Sequence, residues 1–177
     1  MSTRRGEGDF PPYGFVPGHH PHPTQHPDGH SYGAHPPAPA ALDPSAWDAS
    51  SAYLRAFDLF ERGYYWEAHE SWEELWIAAG RQGAVGALLK GLIKLAAAGV
   101  KVRQGVHHQV PLFGARAAVH FRQSQQLCGE AELAGLSFAD LLAFSAYVER
   151  EGAALRGVEG AAVEVVFTEN LGPTPAS

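Results

Sequence analysis

"GALLKGLIKLAAAGVKV", residues 86–102, is the stretch whose reading decides the fold. Drawn as a helix at about 100° per residue, it is apolar over most of its circumference, through Leu88, Leu89, Leu92, Ile93, Leu95, Ala96, Val100 and Val102. Such a helix either crosses a membrane or forms the centre of a bundle. Lys90 and Lys94 break the apolar run, which disfavours a span and points to the bundle. Gly91, Ala97, Ala98 and Gly99 are small enough to admit neighbouring helices closely. Lys90, Lys94 and Lys101 make one narrow stripe, read as a solvated face that keeps a central helix soluble; the alternative is a row that holds a phosphate or carboxylate.

The flanking segments share the helical period. Asp43-Pro44 reads as an N-cap followed by proline at the first helical position, and opens a helix to about residue 62, where Gly63 is a plausible C-cap. A second helix covers about 64–79, the central one about 83–103, and a fourth runs from near Pro111 to about Gly129. "SFAD", with Ser137 and Asp140, is a capping-box-like start for a fifth. Strand signals are nearly absent; "VEVVF" at 163–167 alternates but has no evident partner. The expected fold is all-α, a single compact bundle of about five helices with short connections.

The first 42 residues differ in kind: proline, glycine and histidine dominate, and aliphatic residues are scarce. That composition predicts a disordered tail over 1–42 ahead of a helical domain over 43–177. Its histidines, from His19 to His35, predict weak, unspecific metal binding at most. The lone cysteine, Cys128, excludes an intrachain disulfide and a cysteine-based zinc site. The N-terminus lacks the apolar run of a signal peptide, so a cytoplasmic protein with no membrane partner is expected.

Charge is unevenly placed. Asp58, Glu61, Glu67, Glu70, Glu73 and Glu74 precede an acid-free interval that holds Arg81, Lys90, Lys94, Lys101, Arg103, Arg116 and Arg122. Two elements that pack together and neutralise each other account for this more simply than a basic surface for an anion. No phosphate loop or DNA-reading motif is present, so nucleic acid is not the expected partner; a homo-oligomer is allowed.

The chemistry-bearing residues concentrate in "EAHESWEELW", residues 67–76. On the second helix Tyr65, Ala68, Trp72, Leu75 and Trp76 share the broad apolar face, while Glu67, Ser71 and Glu74 point away from it. Glu67 and Glu74 are therefore expected in solvent, Glu70 between, and Glu73 partly buried beside His69. His69 and Glu73, at i and i+4, point the same way. They can ligate one metal ion or hydrogen-bond to each other and fix the tryptophans. A metal needs further ligands, and His120, on the edge of the fourth helix's apolar face, is the candidate third; His107 and His108 are placed in a loop.

The runs "FDLFERGYYWEAHESWEELW" and "LLKGLIKLAAAGVKVRQG", followed by "GARAAV", resemble the bacterial and archaeal family called domain of unknown function 309 (DUF 309), over about residues 52–127. Its HxxxExxW signature falls here on His69, Glu73 and Trp76. The resemblance implies a small helical bundle with a metal site at the motif and Trp76 as the ring that walls the pocket. Relatives carry glutamine where this chain has Lys90 and Lys94, so no polar role is borrowed for those two positions.

Two functional classes follow. In the first, His69, Glu73 and His120 bind a divalent metal (zinc, manganese or iron) and Glu70 is a general base in a hydrolytic site. In the second, the chain is a non-enzymatic binding or scaffold module in which His69 and Glu73 are a structural hydrogen-bonded pair. Whether it is an enzyme is left open between them. Nucleic-acid or nucleotide binding through the basic interval is a third, weaker reading.

Overall fold

In the computed structural model, which describes residues 9–173, the first α-helix opens at Ser50. The Ser50 hydroxyl accepts the Tyr53 backbone N–H at 3.3 Å and starts α1, Ser51–Glu61. It thereby satisfies one of the N–H groups that every helix start leaves unpaired. The start expected at Asp43-Pro44 is displaced because the Asp43 carboxylate is used locally, by the N–H (2.9 Å) and the hydroxyl (2.6 Å) of Ser45. Between them lies only a short 3-10 turn, Trp47–Ala49.

The other helices lie close to their expected spans: α2, Tyr65–Ala78; α3, Gly83–Gln104; α4, Val110–Cys128; α5, Phe138–Glu151. Ser137 caps α5 by accepting the Asp140 N–H at 3.4 Å, as the capping pattern implied. Each helix packs on the next in the chain, and α3 lies between α2 and α4. The residues expected on its apolar arc are buried there apart from Val100, which is partly buried, and Leu88, Leu89, Leu92 and Leu95 are fully enclosed. Its glycines act as sockets: a Cβ at Gly91 would strike the Phe121 ring, and one at Gly99 the Tyr65 ring. Among the described residues α3 is the one helix long and apolar enough to cross a membrane, and 61% of its apolar window is buried inside the bundle.

A two-stranded hairpin escaped the sequence reading: β1, Glu132–Leu133, pairs antiparallel with β2, Leu136–Ser137. Strands of two residues are too short to show alternation. The turn places Ala134 and Gly135 both at positive φ (50° and 75°), the geometry that a two-residue hairpin needs. The Ala134 carbonyl is fixed by the buried Tyr53 hydroxyl, which donates to it at 3.1 Å.

Within residues 9–42 several side chains lie against the helices. Phe15, Val16 and Leu42 are buried. Phe10 stacks on Tyr64 with ring centroids 5.5 Å apart, and Phe15 sets its ring edge-on to Trp66 at 5.1 Å. The Tyr64 hydroxyl donates to the Pro11 carbonyl at 2.8 Å. The aromatic run "FPPYGFV" at 10–16 carries this attachment, and the scarcity of aliphatic residues around it concealed it. Residues 1–8 of the expected tail and 174–177 at the other end lie outside the described residues.

The alternating segment 163–167 is extended without a strand partner. Val166 and Phe167 are buried, and their N–H groups donate to the Tyr65 hydroxyl at 2.8 and 3.4 Å. Burial pushes the Tyr65 phenol up to about 12. This C-terminal strap crosses the α1–α2 joint at Gly63, whose φ of 90° requires glycine and whose missing Cβ leaves room for the Glu164 backbone. The two straps meet where the Gly14 N–H donates to the Ala162 carbonyl at 2.9 Å.

Candidate functional site

α2 carries two histidine–glutamate contacts in consecutive turns, and they differ. Glu67, in the first turn, suits the positive end of the helix dipole. It is not in solvent, as the helical wheel suggested, but buried. One oxygen, Oε1, accepts the Phe15 N–H at 2.9 Å and lies 3.0 Å from His30 Nε2, with only 5% and 8% of the two side chains exposed. The side of α2 that faces away from the bundle is covered by the N-terminal strap, so facing away from α3 did not mean facing water. Glu74 does remain exposed, with its carboxyl held above the ordinary value by partial burial and by Glu70.

One turn further on, His69, Glu70 and Glu73 come together. A ligand atom from each lies within 4.8 Å of the other two, and all three residues are partly buried. His69 Nδ1 is 3.4 Å from Glu70 Oε1, with side-chain exposures of 27% and 44%. Nδ1 is itself shielded from solvent and makes no hydrogen bond. Trp72, behind the cluster on α2, is fully buried against Phe57 (5.1 Å) and Phe60 (5.6 Å). Trp76 is only partly buried.

α3 and α4 complete the surroundings. Lys90 places its ammonium 3.8 Å from the centre of the Trp76 ring, and the Arg81 guanidinium approaches the same ring at 5.5 Å. Lys90 and Lys94 are half-buried, not the solvated stripe that α3 alone suggested. Burial, followed by Lys90 and Arg116, pulls the Lys94 ammonium below the ordinary lysine value, while Glu73 acts in the opposite direction. His120 is likewise held below the usual imidazole value, by burial and then by Lys94 and Lys90. His120 is thus next to the lysines and is not a member of the His69–Glu70–Glu73 group. His107 lies in a short 3-10 turn, His107–Gln109, at the far end of α3.

Fold and site together define a small helical bundle with one histidine and two carboxylates grouped on its second helix, flanked by a cationic wall from the third and fourth. Residues 53–110 match the model of the family described as "Domain of unknown function (DUF309)", so the resemblance read from His69, Glu73 and Trp76 holds over that segment. Comparison with curated proteins and with solved structures gave no match.

Proposed function

We propose that the chain is a helical metal-binding module in which His69, Glu70 and Glu73 hold a divalent cation, zinc, manganese or iron. The observation that carries this reading is the grouping of three donor atoms within 4.8 Å. Ligands at about 2.0–2.2 Å from one ion sit roughly 3–4 Å apart, a gap that small side-chain rotations close. The donor set also fits: His69 Nδ1 is shielded and unpartnered, an atom in need of a ligand. Glu70 serves as third donor in this arrangement, in place of His120. Three donors from one helix leave coordination positions free on a half-exposed surface, as a catalytic site requires.

A bound cation would lower the pKa of a coordinated water and supply a hydrolytic nucleophile. The chain's own residues then do the rest. Lys90 and Lys94 attract and hold an anionic substrate group. Trp76 walls the site and stays fixed between Lys90 and Arg81. His120, held below the ordinary imidazole value by burial and its lysine neighbours, offers a hydrogen bond.

A second reading has one observation in its favour: Glu73 lies near enough to Lys94 to favour its charged form, so acids and lysines can offset each other with no metal. The chain is then a non-enzymatic module with a structural polar network. In that network His69 Nδ1 lies 3.4 Å from Glu70 Oε1, with Glu73 in the same group.

Elemental analysis of the full chain, expressed without an affinity tag and dialysed after loading, separates the two readings. Near-stoichiometric metal that disappears in Glu73→Gln and His69→Ala is the expected result. Both variants keep the histidines of residues 19–35, so loose binding there cancels in the comparison. Equal metal content in wild type and variants rejects the site.

A further inference from the structure

A second cavity lies at the far end of α3, away from the His69 cluster. It has a volume of about 360 Å³ and is lined by His19 from the N-terminal strap, Arg103 and Gln104 from the end of α3, His107 from the 3-10 turn, and Gly157 and Glu159 from the C-terminal strap.

Arg103 is the unusual component. Only 4% of its side chain is exposed. Nη2 donates to the Ala161 carbonyl. Nε lies 3.8 Å from Glu164 Oε2, too far for a hydrogen bond, and that oxygen already accepts the Val158 N–H at 2.6 Å. Nε and Nη1 are buried without partners. Glu164 pairs with the charge, but a guanidinium has five N–H donors, and a buried one is ordinarily hydrogen-bonded as well.

Two imidazoles nearby show the same deficiency. His107 Nδ1 is buried and unpartnered. So is Nδ1 of His20, whose ring stacks on Tyr13 at 5.0 Å and lies close enough to Arg103 for the guanidinium to disfavour its protonation. The strap is fixed here by backbone bonds from His19 and His20 to the Val16 carbonyl, at 3.0 and 3.3 Å, so the arrangement is built rather than incidental. A metal ion does not suit it: a cationic side chain forms the floor, and among the described residues the one metal-capable group is His69, Glu70 and Glu73.

We propose that this cavity is a phosphate-binding site, with Arg103 as the charged anchor, His107 as a second donor and the N-terminal strap as its rim. Phosphate oxygens accept strongly from a guanidinium N–H and from an imidazole N–H. The space beyond it accommodates the organic part of a small phosphate monoester. Its floor, with Arg103 and His107, lies within the segment that matches the family model, and the two straps add His19, Gly157 and Glu159 from outside it.

Calorimetric titration of the full chain, kept in chelator to leave the metal centre out, tests this. The probes are inorganic phosphate and glycerol phosphate, with chloride at matched ionic strength as control. Saturable phosphate binding, absent with chloride, is the expected result. Arg103→Lys keeps the charge but loses the planar guanidinium donors and weakens binding by about tenfold. His107→Gln, which leaves the Arg103 contacts to the C-terminal strap intact, weakens it in the same direction and serves if Arg103→Lys fails to fold. Tighter binding of glycerol phosphate identifies a monoester as the ligand; equal binding identifies the free ion. No saturable binding overturns the proposal. So does binding that both folded variants leave unchanged, which would move phosphate to the Lys90–Lys94 wall.

Discussion

Helix α2 offers the same two residue types, histidine and glutamate, in two settings one turn apart. At Glu67 the contact is closed. Oε1 of the carboxylate takes both contacts and His30 uses its other nitrogen on the Ser31 hydroxyl at 2.8 Å, while Oε2 is buried without a partner, so the contact is closed to solvent. At His69 and Glu70 the contact is longer, half-exposed and incomplete. The difference shows how one chemistry divides into structure and site. A polar pair sealed from solvent has no open side to offer a ligand. One that keeps an unmatched nitrogen and an open side can take one.

The closed pair gives the largest expected effect. Glu67→Ala leaves the Phe15 N–H and His30 Nε2 without an acceptor, at about 1–3 kcal/mol for each. Urea unfolding of the full chain reads this directly. A loss under half a kilocalorie, about the noise of surface substitutions, would show that the strap does not hold Glu67 as described.

Next comes the open pair under metal. At a free cation concentration of a hundred dissociation constants, binding to the folded state alone adds about 2.7 kcal/mol. Wild type should therefore melt higher with metal than with chelator, and His69→Ala should melt alike in both. A shift that survives in His69→Ala would place the metal elsewhere. Without metal the comparison reverses: Glu73→Ala should change stability by only about 0.5 kcal/mol or less, as half-exposed charges usually do. A large loss in the metal-free protein would make Glu73 as structural as Glu67.

The smallest effect concerns pH. His20 and His120 both bind protons more weakly folded than unfolded. Between the folded values and the ordinary imidazole value near 6.5 the unfolded chain therefore holds more protons. Stability present above that value is lost as pH falls through the folded ones. His120→Gln should flatten this slope partway, with His20 supplying the remainder; an unchanged slope would mean that burial among Lys90 and Lys94 does not disfavour its charge.

Much of this comparison was readable from the sequence, for reasons that differ by residue. Periodicity gave the helices, and i, i+4 geometry put His69 beside Glu73, because both depend only on local backbone. The Asp43 start was misplaced because two good caps compete and Ser45 occupies the first. Glu67 and the lysines were misread for one common reason: a helical wheel knows which side of a helix is apolar but not what later covers the polar side. The strap over Glu67, and the approach of Trp76 on α2 to Lys90 on α3, are tertiary facts. Arg103 was legible only as part of a basic interval, since its partners lie 58 and 61 positions further along the chain.

The bond between Gly14 and Ala162 ties together the two segments that the bundle acquires from furthest apart in sequence. Helix-on-helix contacts between chain neighbours close short loops, and such contacts form early. The straps must wait for the α1–α2 surface to exist before they have anything to grip. Interactions absent from the folding transition state act on the rate of escape rather than the rate of entry. Loosening either strap should therefore leave refolding nearly unchanged and hasten unfolding, so that the histidine-rich segment acts as a latch on the lifetime of the native state.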